Sequence, residues 1–326
     1  MRLDLFTFTV LISLEFSGER ITVAEITVRN ITYGGWDNCI QLTNGIIDLL
    51  VTVDVGPRII QYGFADEVNE MCEVETTMGL TGGDNWRIYG GHRLWHSPES
   101  MPRTYEPDNH PVEWEEINGG IRTLQEVEKL SGIRKEMEIT ISPDGTGVRI
   151  LHRLTNKGQW PLELSVWSVT AMATGGKEIV PQSNRDTGLL PNRLISLWPY
   201  TRIDDPRVYW GDRYISLTQD PYNKNTFKFG VPNESGWAAY FNHGHLFVKY
   251  FTHMKNASYP DFGVSYETYV NDFMLEMETL SPLNLIEQGS DVTHVEEWEL
   301  FDDVPMISDD EDEIEEVLNG KLRNET

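Results

Sequence analysis

The chain has few cysteines, few basic residues and no long apolar segment. Its only cysteines are Cys39 and Cys72, and a chain of 326 residues with a large core does not need one disulfide, so we expect two free thiols. Lys and Arg total 26 against 52 Asp and Glu, a formal net charge of −26. This charge repels polyanions and excludes nucleic acid and anionic membranes as partners. No apolar run reaches the roughly 18 residues of a membrane-spanning helix.

Motifs that indicate common chemistries are also missing. The sequence has no phosphate-binding glycine loop, no His-Glu-x-x-His motif, no nucleophile elbow and no Cys-x-x-Cys pair. In a cupin metal site, a Glu follows the His-x-His pair by three or four residues, whereas Lys249 and Tyr250 follow His243-Gly244-His245 here. We therefore expect no metal and no cofactor, and place these histidines at a hairpin tip or a rim.

The two ends of the chain differ in composition from the rest. Residues 1–20 are apolar, but Asp4 and Glu15 interrupt them and no small-residue cleavage site follows. We interpret them as an irregular extension or a strand rather than a secretion signal, and expect a cytoplasmic protein. Residues 306–326 contain the acidic run DDEDEIEE and are expected to be disordered. Residues 21–305 contain no linker and are expected to form one domain.

From Ile21 onward, short β-branched runs alternate with Gly, Pro, Asn and Asp. The sequence Pro-Asp-Gly-Thr-Gly at 143–147 separates two alternating runs, which predicts a tight turn between antiparallel strands. Residues 76–111 lack this alternation, and long irregular segments of compact domains tend to be functional. Helical periodicity is nearly absent outside the acidic C-terminus. The pattern predicts an all-β antiparallel sandwich or barrel.

One polar cluster lies in this irregular segment, on a predicted loop or strand end. Its members are His92, Arg93, Trp95, His96 and Glu99. Two Gly before it and Pro98 after it argue against a helix, and therefore against a metal site made by histidines four residues apart. The alternative is a sugar site, in which His and Arg bind hydroxyls while Trp86 or Trp95 stacks on the ring. A purely structural role in a buried loop stays open.

A second cluster contains two carboxylates, Glu276 and Glu278, which alternate with Leu275 and Met277. In a strand, this spacing puts both carboxylates on one face. Like charges side by side raise one pKa, and a carboxylate with a raised pKa can act as a general base near neutral pH. The alternatives are an exposed polar face or ion pairs with Arg58 or Arg93.

Several stretches of the sequence resemble the galactose-mutarotase-like superfamily, and within it a group of bacterial proteins. The stretches are NCIQLTNGIIDLLVTVDVGPRIIQYGF, TGGDNWRIYGGHRLWHSPES, RLTNKGQWPLELSVWSVTAMATGG, LWPYTRIDDPRVYWG and LEMETLSPLNLIEQGSDVTHVEEWELF. The resemblance covers nearly all of the folded chain. It implies an antiparallel β-supersandwich that binds a carbohydrate on the concave face of its larger sheet, as a monomer or homodimer.

The resemblance also implies an aldose 1-epimerase-like isomerase, with a Glu as general base and a His as general acid. Glu278, or Glu276 on the same face, takes the position of the base, and His92 or His96 that of the substrate-orienting histidine. We expect the residues around them, Arg93, Trp95, Arg58, Trp86, Glu99 and Trp167, to bind the substrate.

The sequence departs from the epimerase pattern at one important place. Where an epimerase carries its acid, this chain has Ser165-Val166-Trp167-Ser168. Either His92 or His96 supplies the proton from another direction, or the protein is a non-catalytic carbohydrate-binding protein. Hydrolysis or elimination by the same carboxylates ranks last, because glycosidase acids flank the scissile bond.

Overall fold

A computed structural model describes residues 26–323, so the extension predicted over residues 1–20 lies outside the described part. The described chain contains twenty-one strands and one helix. In chain order they are β1 (Thr27–Tyr33), β2 (Trp36–Thr43), β3 (Ile47–Thr52), β4 (Arg58–Phe64), β5 (His92–Ser97), β6 (Glu113–Ile117), β7 (Gly120–Leu124), β8 (Ile133–Ile141), β9 (Val148–Asn156), β10 (Leu162–Met172), β11 (Lys177–Pro181), β12 (Ser196–Leu197), β13 (Val208–Trp210), β14 (Tyr214–Thr218), β15 (Phe227–Val231), β16 (Trp237–Asn242), β17 (His245–Phe251), β18 (Tyr266–Val270), β19 (Leu275–Leu280), β20 (Asn284–Ile286), β21 (Asp291–Phe301) and α1 (Glu311–Leu318).

The strands form two antiparallel sheets. The larger has the order β1-β2-β3-β4-β5-β10-β19-β18-β15-β12, with β20 paired to β10, and the smaller has the order β13-β14-β11-β16-β17-β21-β9-β8-β7-β6. Apolar side chains of both sheets, among them Leu94, Val166, Met277, Phe247 and Trp298, form one buried core cluster. The protein is therefore the predicted all-β sandwich, in which the inner faces of two sheets share one core.

Local sequence signals account for much of this architecture. The turn predicted at 143–147 joins β8 to β9, which pair in antiparallel register from Ile133 opposite Asn156 to Ile141 opposite Val148.

Cys39 and Cys72 are both buried free thiols. The segment predicted to be irregular, residues 76–111, is interrupted by β5, a fully buried strand of the larger sheet. Within residues 26–323, no helix has the length and apolar character needed to cross a membrane.

The prediction that the acidic tail is disordered is wrong for its described part, which contains α1. Ile314 and Leu318 lie one helical turn apart and are buried in a cluster with residues of β11, β16 and β17. Asp310 caps the helix by accepting from the backbone amides of Asp312 and Glu313. Arg213 forms ion pairs with Glu311, Asp312 and Glu315. The acidic run also contains an apolar stripe and an N-cap. Together they stabilise the helix more than repulsion among the acidic side chains destabilises it.

We expect Ile314→Asp to detach α1 from the smaller sheet, because a buried carboxylate without a partner cannot replace the apolar contact. Limited proteolysis should then cleave between β21 and the C-terminus at least tenfold faster than in the unmodified protein. Glu316→Ala changes an exposed position of the same helix and should leave the cleavage rate unchanged. Equal rates for the unmodified protein and Ile314→Asp would show that Ile314 does not hold the helix in place.

Candidate functional site

The larger sheet has an outer face, which points away from the sandwich core. Along β5, Leu94 joins the inter-sheet core, whereas Trp95 packs in a separate cluster with Trp167, Val169 and Leu280. Side chains alternate along a strand, so Arg93 lies on the same outer face as Trp95. The segment around Trp86 and Tyr105 covers part of this face.

Strand register aligns the charged residues of the outer face. Arg93 of β5 is opposite Val169 of β10, which is in turn opposite Glu278 of β19, and Glu278 is opposite Glu267 of β18. In the neighbouring row, Glu276 is opposite Tyr269, and Tyr269 is opposite Lys228 of β15. Pairing of five strands therefore brings together residues that are far apart in the sequence.

These side chains form two neighbouring ion-paired groups, which together contain three carboxylates and two cations. Arg93 Nη1 donates to Glu276 Oε1 at 2.8 Å. Lys228 Nζ lies 2.8 Å from Glu267 Oε2 and 2.8 Å from Glu278 Oε2. Trp167 Nε1 also donates to Glu278 Oε2 at 2.8 Å. Glu276 and Glu278 share one face, as predicted, and Arg93, one of the two arginines considered as a partner, pairs with Glu276.

Aromatic rings surround the charged group. The Arg93 guanidinium lies 4.3 Å from the centroid of Trp95. The Lys228 ammonium lies 4.8 Å from the ring of Trp167 and 4.7 Å from the ring of Trp198, distances at which a cation is attracted to the ring. We name this set the acid–aromatic cluster, and it consists of Arg93, Trp95, Trp167, Trp198, Lys228, Glu267, Glu276 and Glu278.

Burial sets the protonation of the cluster. Burial raises the pKa of Glu278 and of Glu267, because desolvation disfavours an ionised carboxylate and Lys228 offsets that effect only in part. A neighbouring carboxylate, Glu276 for Glu278 and Glu278 for Glu267, raises each pKa further. Burial by itself would lower the pKa of Lys228, but Glu267 and Glu278 outweigh it and hold that pKa well above its ordinary value. The Lys228 ammonium is therefore charged, whereas its two carboxyl neighbours bind a proton more readily than exposed carboxyl groups do.

Some buried polar atoms at the cluster have no hydrogen-bond partner among the described residues. They are Arg93 Nε, Trp86 Nε1 and Glu267 Oε1. The two donors belong to side chains beside the ring of Trp95, and the acceptor belongs to the carboxylate that pairs with Lys228. Buried groups of this kind normally find a partner, so each is a place where a polar ligand can bind.

The structure does not bring His92 and His96 to this site. Both lie on the inner side of β5, where the strand alternation places them with Leu94, and both are fully buried. The ring nitrogens of His96 make no hydrogen bond to any described residue, and Nε2 lies 3.7 Å from Glu128 Oε2. Neither ring can exchange a proton with a sugar that contacts Glu278, because the sheet itself lies between them.

His92 belongs instead to a hydrogen-bonded chain between the sheets. His152 Nδ1 lies 3.2 Å from the carbonyl of His294, so Nδ1 carries the proton and Nε2 accepts. His92 Nε2 lies 2.8 Å from His152 Nε2 and can donate to it, which leaves His92 Nδ1 to accept from the Thr170 hydroxyl at 2.8 Å. Burial lowers the pKa of His92, and that of His152 to about 4, so both rings are neutral.

The hydrogen-bonded chain of side chains ends at the carboxylate of Glu296, which accepts several hydrogen bonds. Ser168, Thr279 and Trp298 donate to it, and Lys249 Nζ lies 3.1 Å away. Ligand atoms of His92, His152 and Glu296 lie within 4.8 Å of one another, as in a metal site. Every hydrogen of this network nevertheless pairs without a metal ion, so its geometry is that of a structural polar core.

The remaining predicted residues lie at the margins of the site. Arg58 is opposite Arg93 on β4, but its guanidinium is buried against Asp108 at 2.7 Å and the Gly90 carbonyl at 3.0 Å. Glu99 is exposed and accepts from the Tyr105 hydroxyl. Arg58 therefore holds the covering segment in place, and Glu99 lies at the rim beside Tyr105.

Lys228, Glu267 and Trp198 were not predicted as site residues. Lys228 alternates with Phe227 and Phe229 in a short buried strand, and a lysine flanked by two buried aromatics was the available signal. Its partners lie on β18 and β19, so its role depends on strand order.

Solved structures share this fold. A galactose mutarotase-like protein from Lactobacillus casei ATCC 334 aligns with a TM-score of 0.52 at 12% identity, covering 81% of this chain and 100% of that protein. A candidate aldose 1-epimerase from Klebsiella pneumoniae subsp. pneumoniae MGH 78578 aligns with a TM-score of 0.52 at 13% identity, covering 85% of this chain and 83% of that one. A TPR-domain containing protein from Parabacteroides distasonis ATCC 8503 gives 0.57 at 13%, with 82% and 48% covered.

No family model matches the sequence, and a search of curated proteins finds no match. The chain has the galactose-mutarotase-like fold, as its sequence resemblance predicted. At identities this low, the structural likeness establishes the fold alone.

Proposed function

We propose that this protein binds a carbohydrate at the acid–aromatic cluster, on the outer face of its larger sheet. The proposal rests on three unpaired buried atoms. Arg93 Nε and Trp86 Nε1 belong to side chains beside the ring of Trp95, and Glu267 Oε1 belongs to the carboxylate that pairs with Lys228. A sugar hydroxyl both donates and accepts, so it can satisfy either kind of atom. The apolar C–H face of the same sugar packs on indole or phenol rings.

Access to the cluster depends on rings at its rim. Glu278 is only 1% exposed and Arg93 is similarly buried, whereas Tyr200 near Lys228 and Glu278 is 46% exposed. Because Glu278 and Arg93 are buried, a sugar reaches them only when side chains at the rim of the cluster move. Ligand binding therefore includes a side-chain rearrangement.

The contacts of Glu278 favour binding over catalysis. Its Oε2 already accepts from Trp167 and Lys228. Among the described residues, no histidine makes a hydrogen bond or ion pair with Glu276 or Glu278. The general acid that an epimerase needs is thus not an imidazole at this site.

One observation keeps aldose 1-epimerase activity as a second candidate. Burial raises the pKa of Glu278, which moves this carboxyl toward the range where a general base works best. Glu278 would take the proton of the anomeric hydroxyl and Lys228 would protonate the ring oxygen as the C1–O5 bond breaks; the reverse transfers close the ring on the other face. The high pKa of Lys228 makes it a weak acid for this step.

Trp198→Ala should weaken sugar binding at least tenfold, about 1.4 kcal/mol, since it removes one aromatic wall of the cluster. Calorimetric titration with a panel of neutral and acidic monosaccharides measures this change for each sugar that binds. Trp160→Ala is the matched control, because Trp160 is 75% exposed in the loop between β9 and β10. The proposal fails if no sugar binds, or if both variants bind equally well.

Polarimetry of freshly dissolved aldoses separates the two candidate functions. A binding protein leaves the rate of anomer exchange unchanged. An epimerase accelerates it, and Glu278→Gln should then abolish the acceleration while binding persists. Acceleration that survives Glu278→Gln would remove Glu278 from the role of base.

A further inference from the structure

A cavity of about 380 Å³ lies at one end of the sandwich, where three loops cross between the two sheets. Residues 182–195 lead from β11 to β12, residues 232–236 from β15 to β16, and residues 252–265 from β17 to β18. Each loop thus joins one sheet to the other. The volume is within the usual range of small-molecule sites, roughly 300–1,000 Å³. The cavity is therefore large enough to hold a small ligand.

The lining of this cavity is cationic, although the chain as a whole is strongly acidic. Arg185, Arg193 and Lys255 contribute three positive charges, against the single carboxylate of Glu234. With a neutral His253, which also lines the cavity, the net charge of the lining is +2, whereas the whole chain has a net charge of −26. The cavity thus attracts a small anion, while the rest of the surface repels a polyanion.

The three cations are only weakly neutralised by their neighbours. Arg185 Nη2 lies 3.4 Å from Glu234 Oε1, and its guanidinium donates no hydrogen bond within the described residues. Arg193 donates to backbone carbonyls, and its one ion-pair partner in the described chain, Asp212, lies 3.9 Å away and is 97% exposed. Lys255 is exposed and has neither an ion pair nor a hydrogen bond in the part of the chain that the structure describes. All three side chains can therefore bind a ligand.

His253 adds a hydrogen-bond donor whose tautomer can be assigned. The hydroxyl oxygen of Ser265 accepts from the backbone amide of Asn233 at 3.1 Å, and the hydroxyl hydrogen has His253 Nδ1, at 2.8 Å, as its one described partner. Burial lowers the pKa of His253, so the ring is neutral near pH 7. Nδ1 then accepts and Nε2 carries the hydrogen. Nε2 makes no hydrogen bond with any described residue, so it can donate to a ligand.

Hydrogen bonds and ring stacking fix the loop between β17 and β18. The Tyr259 ring stacks on His253, with centroids 5.1 Å apart and planes inclined by 8°. The Tyr259 hydroxyl accepts from the backbone amide of Met254 at 2.8 Å. The amide of Leu283 donates to the carbonyl of Ser258, also at 2.8 Å. This side of the cavity is thus ordered before a ligand arrives, which lowers the entropy cost of binding.

We propose that this cavity binds a small phosphate monoester. Near neutral pH, a phosphate monoester has a charge of about −1.5 to −2, which matches the lining better than the single charge of a carboxylate does. A guanidinium presents paired N–H donors that fit the oxygens of a phosphate. The two arginines and Lys255 bind the phosphate oxygens, Nε2 of His253 donates to one of them, and Leu194 of the lining contacts the organic part. This site does not depend on sugar binding at the acid–aromatic cluster.

Calorimetric titration of the full-length protein with glycerol 3-phosphate tests the site. We expect one molecule per chain, and about tenfold weaker binding for Arg185→Gln and for Lys255→Gln, because each change removes a hydrogen bond to a charged group. Lys224→Gln is the matched control and should leave binding unchanged. Lys224 is exposed and has no ion pair among the described residues, as is true of Lys255, but it precedes β15, whereas the cavity lies beyond the other end of that strand.

Two further measurements locate the bound phosphate. Glu234→Gln removes the one carboxylate of the lining and should tighten binding by about fivefold, the effect of a like charge roughly 4 Å away in water. In NMR spectra of the unmodified protein, the ring signals of His253 should shift as glycerol 3-phosphate is added. Urea unfolding of each variant distinguishes lost contacts from lost folding.

Three results would overturn the proposal. The first is the lack of stoichiometric binding of glycerol 3-phosphate, or binding that leaves the ring signals of His253 unchanged. The second is an equal loss of affinity in Lys224→Gln and Lys255→Gln, which would indicate general attraction between the anion and surface lysines. The third is equally tight binding of lactate, since a monoanionic carboxylate would then suit the cavity as well as a phosphate does.

Discussion

Lys228→Met is expected to lower the free energy of unfolding by about 3–5 kcal/mol near pH 7, the usual result of removing one partner from a buried ion pair. Lys228 is the cation that lies between Glu267 and Glu278, at 2.8 Å from each. Without it, two carboxylates on neighbouring strands remain buried beside each other. Urea unfolding followed by tryptophan fluorescence measures the loss.

The pH dependence of this loss has a definite sign. Burial already raises the pKa of Glu267 and Glu278, and loss of the ammonium raises both further. A carboxyl whose pKa is higher in the folded state costs stability as pH rises above its unfolded pKa, roughly 4.3. The difference between Lys228→Met and the unmodified protein should therefore be largest near neutral pH and shrink toward pH 4.

A second substitution in the same variant provides the control. Lys228→Met with Glu278→Gln removes one charge of each sign, so the double variant should recover part of the lost stability. The double-mutant cycle should give a coupling energy of about 1–3 kcal/mol. Additive effects of the two changes would show that Lys228 and Glu278 do not interact, and would leave the acid–aromatic cluster without its central contact.

The sequence predicted the strands and their faces where alternation was regular. Glu276 and Glu278 alternate with Leu275 and Met277, and the structure places both acids on the outer face. The same rule applied to β5 separates Arg93 and Trp95 from His92 and His96. The two Gly before β5 and Pro98 after it argued against a helix but left a loop or a strand end open. All four side chains were therefore assigned to one site, although a strand cannot point them in one direction.

Strand order was beyond the reach of the sequence. Lys228 and Glu278 are 50 positions apart and meet because β15 pairs with β18 and β18 with β19. No local pattern fixes that order. Arg213, whose ion pairs help to hold α1, lies likewise about 100 positions before its partners. The composition therefore shows that the C-terminal tail is acidic, but it does not show which residues pair with the acidic side chains.

Glu178→Gln is expected to stabilise the protein at pH 7 by roughly 3 kcal/mol. Glu178 lies on β11 and is fully buried between the sheets, and burial raises its pKa to about 8. At pH 7 this carboxyl is protonated in the folded state and ionised in the unfolded state, so folding must take up a proton. Glutamine has the shape of the neutral acid and does not carry this cost.

The local contacts favour the substitution. Tyr266 donates to Glu178 Oε1, and the amide oxygen of glutamine can accept that bond. Glu178 Oε2 and the Thr268 hydroxyl have no hydrogen-bond partner within the described residues, and Glu178 and Thr268 are neighbours. An amide NH₂ in place of Oε2 can donate to Thr268.

The stabilisation should disappear with acidification, because the unfolded-state carboxyl is also protonated below roughly pH 4.3.

Glu296→Gln, the same change elsewhere between the sheets, should have the opposite effect on stability at pH 7. Burial alone would raise the pKa of Glu296, but the Lys249 ammonium holds it well below its usual range. Glu296 is therefore ionised and paired, and losing its charge leaves Lys249 buried without a partner, at a cost of about 3–5 kcal/mol near pH 7. Chemical unfolding of both variants at pH 7 and pH 4.5 measures the contrast, and destabilisation of both at pH 7 would show that Glu178 too is ionised in the folded protein.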